Sequence, residues 1–231
     1  MSLFANLKNK VFYGWIIVAS CLIVAAVMLG VRHSFGVFFK PLATEFALNR
    51  LATSSINSLL MVFSAVFAVI GGWAVDKFGP RRVVLVMGIS IGLGLLLTSF
   101  TNALWQLFIV YSFLLGIGTG AAVPVLMSVV SRWFDKKRGL ALGVSTSGIA
   151  LGTIISAPLS AYLIAAFSWR TAYVILAVIA ASIVILLSRP LLGSPRDIGA
   201  LPDGARPDTD AAVTSSKGNS LRPDVLPLSQ A

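Results

Sequence analysis

The stretch GGWAVDKFGPRR, Gly71 to Arg82, sets one acid, three bases and three glycines between two long apolar runs. Residues 51–75 carry no charge, and none follows Arg82 until Arg132. A membrane-spanning helix needs about 20 apolar residues. Both flanks meet that length, so the stretch reads as a short connection between two spans.

Further uncharged runs cover 11–31, 139–169 and 171–188. The run 83–131 is too long for one helix, and SFTNALW at 99–105 divides it. The reading is six spans, near 12–38, 53–75, 83–100, 104–130, 139–165 and 171–188. Composition agrees. The chain is 57% hydrophobic and 11% charged, where soluble domains carry about 25% charged residues. That predicts an all-α membrane protein with the bilayer as its solvent. The opening MSLFANLKNK has the basic character of a signal peptide, but the apolar stretch behind it is too long for one. It is read as leading into the first span.

Cys21 is the one cysteine and His33 the one histidine. No intrachain disulfide, cysteine cluster or multi-histidine metal site can form, and no cofactor is expected. The net charge of +10 comes from bases in short gaps between apolar runs. That pattern flanks membrane helices, so no nucleic-acid partner is expected. With the N-terminus inside, fourteen Lys and Arg fall on inner segments and four, Arg32, Lys40, Arg50 and Arg170, on outer ones. The excess predicts both termini in the cytoplasm. Residues 1–11 are then a cytoplasmic N-terminus and 12–188 the six-helix bundle. Residues 189–231 hold six of the ten prolines and five of the eight acids. They read as a disordered cytoplasmic tail or linker.

Within 71–82, Gly72, Asp76 and Gly79 fit the pattern G-x-x-x-D-[RK]-x-G-x-[RK]-[RK]. Gly72 leaves room for a neighbouring helix, and Gly79–Pro80 suits a tight turn. Asp76 falls at the negative end of a helix, where a carboxylate is unfavourable without a cation or a facing helix N-terminus. Lys77, Arg81 and Arg82 could simply hold the loop to anionic lipid. That accounts for the bases but not for Asp76 or the glycine spacing.

This stretch resembles the signature loop of the major facilitator superfamily, between its second and third helices. The resemblance implies a charge latch on the cytoplasmic side, built from Gly72, Asp76, Lys77, Gly79, Arg81 and Arg82. Arg132 is the implied partner of Asp76, and Arg138 belongs to the same group. A second stretch, WFDKKRGLALGVSTSG at 133–148, is similar to the signature of the monocarboxylate transporters between helices four and five. Phe134, Lys136, Lys137, Arg138, Leu140, Ala141, Gly143 and Gly148 match it. Gly139, Gly143, Gly148 and Gly152 are read as lining one side of the fifth span. That family's acid before Gly14 and Trp15 is missing, since Lys10 and Val11 stand there. The departure points to a bacterial monocarboxylate or oxalate/formate-like relative. Ser112 stands where many drug and sugar carriers hold an arginine. SPRDIGALPDG at 194–204 is similar to the start of the family's central loop.

The resemblance, over roughly 12–204, implies the N-terminal half of a two-half secondary transporter in a bacterial inner membrane. Its substrate would be a small organic anion, with the residues for any proton coupling largely in the other half. A truncated or split transporter is expected, and a parallel homodimer is geometrically allowed. A non-transporting membrane scaffold or sensor is the alternative. An enzyme is disfavoured, because the spans offer no paired carboxylates or Cys–His pair. Arg32 and His33, near the outer end of the first span, are candidate cations for the anion. By resemblance His33 takes the place of a substrate lysine, and it would make that charge pH-sensitive. Asn57 and Ser64, seven apart on the second span with Met61 between, and Tyr111 on the fourth are candidate polar contacts. Pro124 and Pro158 are expected to kink their helices.

Overall fold

The computed structural model describes residues 13–46 and 50–191, with the backbone alone for 50–53. Residues 1–12, most of the 189–231 segment and the stretch 194–204 lie outside the described residues. Eight helices are described. They are α1 (Tyr13–His33), α2 (Phe35–Glu45), α3 (Arg50–Phe78), α4 (Pro80–Ser99), α5 (Leu104–Gly120), α6 (Ala122–Trp133), α7 (Arg138–Ala166) and α8 (Trp169–Ser188). They make six spans, because α1 with α2 and α5 with α6 each form one crossing. The protein is therefore an all-α, six-span membrane protein.

The first span runs to Glu45 rather than stopping near residue 38. Lys40, Thr44 and Glu45 lie on an exposed face, while Phe35, Phe38 and Leu42 are buried at helical spacing. The helix becomes amphipathic where its charges begin, so charge alone did not mark its end. Ser34 interrupts it, and both its backbone N–H and its hydroxyl donate to the Gly30 carbonyl, at 3.0 and 2.9 Å. The fourth span breaks at Ala121. Pro124 has no N–H for the Gly120 carbonyl four residues back, so the break falls where proline removes a rung. Pro158 sits inside α7, which continues through it as one helix.

Lipid tails are as apolar as leucine, so helix association in a bilayer rests on close packing. Small residues supply it here. A Cβ on Gly152 would meet the Ala26 carbonyl oxygen, and one on Gly148 that of Leu22. The fifth span is thus pressed backbone to backbone on the first. Ser156 adds a hydrogen bond to the Gly30 carbonyl at 2.7 Å. The fourth span meets the second in the same way, through Gly116 and Gly120 against Phe63 and Ser64. The third packs on the sixth through Gly88 and Gly92 against Val184 and Ala181.

The four expected small residues of the fifth span do not share a side. Nothing lies within 4 Å of a Cβ built on Gly139 or Gly143. The five-residue step from Gly143 to Gly148 turns about 140° at about 100° per residue, which carries the stripe off the packed face. A similar correction applies to the second span. The close approach is at Gly71, against Ala121, and the space beside Gly72 is open.

The buried core joins Ile17, Cys21 and Met28 of α1, Met87 and Ile91 of α4, Tyr111 and Leu115 of α5, and Tyr173 and Ala177 of α8. The second and fifth spans add less to it, through Ile56, Leu60 and Val75 and through Ala141 and Leu163. Each buries 22% of its most apolar window, against 61% for the first and third. At one end of the bundle the Tyr13 hydroxyl donates to the Pro190 carbonyl at 3.0 Å, and the Tyr13 ring packs on Trp133. The start of the first span and the end of the sixth therefore leave the bundle on the same side.

Candidate functional site

Three groups of polar residues stand out against this apolar body, one at each end of the bundle and one between them. The first lies on the Tyr13 side. Gly79 has φ 81° and ψ 157°, backbone that a side chain disfavours. Pro80 follows as the first residue of α4. This pair turns the chain between α3 and α4 and leaves Asp76 in the last turn of α3. Arg132, in the last turn of α6, donates to the Asp76 carboxylate at 2.8 Å. Each helix terminus favours a cation and disfavours an anion, so Arg132 is well placed and Asp76 is compensated by it.

The pair is open to solvent, with the Arg132 side chain 40% exposed and that of Asp76 74%. Such a pair is worth about 0–1 kcal/mol. Of the other residues expected in the latch, Lys77 sits over the Trp73 ring at 4.8 Å and the Phe78 ring at 5.6 Å. Arg81, Arg82 and Arg138 are exposed. Arg138 opens α7, where a helix start disfavours a base. Asp76 is brought to Arg132 and to no other base among the described contacts.

The second group is deeper. Arg32 lies nineteen residues beyond Tyr13, about 28 Å along the helix at 1.5 Å per residue. It is half-buried and lies close enough to Tyr111 for the two to interact electrostatically. Among the described residues it has no ion pair. Tyr111 is buried, with its ring 4.8 Å from Phe35 and 6.5 Å from Tyr173. Tyr173 stacks on Phe38 at 3.9 Å, and its buried hydroxyl has no hydrogen-bond partner. Arg32 therefore borders an aromatic cluster with two phenolic groups. His33, the next residue, is exposed.

Asn57 is exposed on α3, whereas Ser64 is buried against α5 with an unpartnered hydroxyl. The two do not share surroundings. Ser112 donates to the Ile56 carbonyl at 3.2 Å and so ties the fourth span to the second.

A third cluster, beyond the sequence reading, closes the end opposite Tyr13. Glu45 accepts from the Trp169 indole N–H and, at 2.5 Å, from Arg170. Arg170 also donates to the Thr101 carbonyl at 3.2 Å. Three separate segments are joined there. The signal was present, since Glu45 is the one acid and Arg170 an isolated base on the same set of outer segments.

The chain matches the family description Major Facilitator Superfamily over residues 13–223. It is 32% identical to "Monocarboxylate transporter 13" of Bos taurus over 181 residues, 78% of this chain and 42% of that protein. It is 29% identical to "Monocarboxylate transporter 12-B" of Danio rerio over 216 residues, 93% of this chain and 43% of that one. The chain thus spans under half the length of these curated relatives. Among solved structures it resembles the proton:xylose symporter XylE bound to 6-bromo-6-deoxy-D-glucose. The TM-score is 0.67 at 16% identity, over 80% of this chain and 46% of that one. The inward open XylE from E. coli gives 0.62 at 17% identity, over 92% and 57%. At these identities the structural likeness speaks for the fold.

Proposed function

The chain belongs to the Major Facilitator Superfamily, and from that premise we propose that it forms one six-helix half of a secondary transporter for a small, monocarboxylate-like organic anion. The observation that carries the reading is Arg32. It is a half-buried arginine inside a membrane span, without an acidic partner among the described residues and beside Tyr111. A charge in such a place is costly, and it marks a substrate or ion path when no protein counter-ion meets it. A carboxylate would supply the missing charge. The guanidinium can grip both its oxygens, and the phenol can add a third donor. The relatives named for monocarboxylate transport lend support from outside the site.

The Asp76–Arg132 pair suits a latch for alternating access. It joins the second span to the fourth at one end, and its small worth lets it open and reform in each cycle. The base excess at that end fits a cytoplasmic side, and a bacterial inner membrane is the proposed setting. The second half and its coupling proton complete the cycle in this reading.

Exchange by the complete two-half transporter in liposomes tests the proposal. Labelled lactate should exchange with unlabelled lactate, and Arg32→Ala should abolish the exchange. A protein that exchanges sugars but no carboxylate, or one indifferent to Arg32→Ala, would refute it.

A further inference from the structure

Beside the α3–α4 connection the surface opens into a groove of about 270 Å³. It lies between α3, α4 and the α5–α6 break, away from Arg32 and Tyr111. Its walls are Phe67, Ile70, Ala74, Val83, Val86 and Ile117, with Arg82 as the single charged lining residue. Gly71, Ala74 and Ala121 are the small residues of its lining. Ile70, Phe78 and Val86 remain about half exposed around it.

We propose that this groove is a binding site for an anionic phospholipid, which lays an acyl chain along α3 and α4 and sets its phosphate on Arg82. Three observations choose this occupant. The groove is set in two helices that cross the membrane, so what fills it must be apolar along its length. Arg82 stands at the start of α4, at the boundary where headgroups lie, and has no ion pair among the described residues. The nearby acid, Asp76, is already held by Arg132. Arg81 and Lys77 make the rim more positive, and basic residues at this boundary attract anionic lipid. An arginine can also bind phosphate with two parallel hydrogen bonds. The proposal separates Arg82 from its neighbours: Arg81 attracts headgroups in general, whereas Arg82 shares its site with an acyl chain.

The test uses the complete two-half transporter in nanodiscs of phosphatidylcholine with one tenth phosphatidylglycerol. After transfer to detergent, the retained lipid is counted by native mass spectrometry. The expected result is phosphatidylglycerol retained several-fold above its share. Arg82→Gln should remove that enrichment, and so should Val86→Trp, which fills the groove and leaves every charge in place. Arg81→Gln should leave most of it. Circular dichroism and size-exclusion profiles matching the parent would show that the variants fold; if Val86→Trp does not, Ile70→Trp takes its place. Equal losses in Arg81→Gln and Arg82→Gln, with no effect of filling the groove, would show diffuse surface attraction and overturn the site. So would retention of the two lipids in their bulk ratio, the result expected if a protein helix is the true occupant.

Discussion

Arg32 and His33 adjoin in the chain and point about 100° apart on the helix. That one step gives them different surroundings, the first half-buried near Tyr111 and the second exposed. In the complete transporter, Arg32→Ala should weaken carboxylate binding by about 1.5–3 kcal/mol, the worth of hydrogen bonds to a charged group. Tyr111→Phe should cost less, about 1 kcal/mol for a neutral donor. Calorimetric titration with lactate checks both variants and separates Arg32 from His33. A silent Arg32→Ala beside a damaging His33→Ala would reverse the assignment. For the latch, Asp76→Asn and Arg132→Ala should each change stability by less than about 1 kcal/mol, since the pair is exposed. Each should nonetheless shift which side of the protein a cysteine probe can label. The double variant should do no more than one single variant; strictly additive effects would show that the pairing has no part in the balance.

At the scale of elements, the fifth span carries two kinds of glycine. Gly152→Val would place carbon against the Ala26 carbonyl, and neither backbone can yield without parting the two spans. Little folded protein should survive detergent extraction. Gly143→Ala meets open space and should raise stability by about 0.4–1 kcal/mol through a stiffer unfolded chain. Thermal unfolding monitored by circular dichroism distinguishes them, and similar behaviour of the two variants would contradict the packing described. The Glu45 cluster is a milder case. Its Arg170 pair is more than a third exposed on both sides, so screening leaves about 1 kcal/mol or less for that ion pair. Glu45→Ala should therefore lower the melting temperature slightly and shift Trp169 fluorescence as the indole loses its acceptor. An unchanged emission spectrum would place Trp169 elsewhere.

For the whole molecule, the Tyr13–Pro190 contact puts both ends of the bundle on one side. A phosphatase reporter that works only outside the cytoplasm should be silent when fused after Ala231, and a cytoplasm-active reporter there should work. The opposite pattern would overturn the proposed orientation. The second and fifth spans lie at the edge of the core with few residues of their most apolar windows buried, whereas the more buried first and fourth spans carry Arg32 and Tyr111.

What the sequence determined by itself was whatever depends on composition and local order. Six spans follow from uncharged length, because a bilayer admits no unpaired backbone. The turn at Gly79–Pro80 follows from two residues with few backbone options, and the need of Asp76 for a cation follows from its place at a helix end. The tertiary structure decided whatever depends on which face meets which. It turned Arg32 rather than His33 toward Tyr111, and it moved the close contact from Gly72 to Gly71. It also split the glycines of the fifth span between a packed face and an open one, and joined Glu45 to Arg170 across 125 residues. A rotation of 100° per residue leaves hydrophobicity along the chain unchanged while altering every neighbour. Membrane helices that are apolar all round give little sequence signal of which side turns inward.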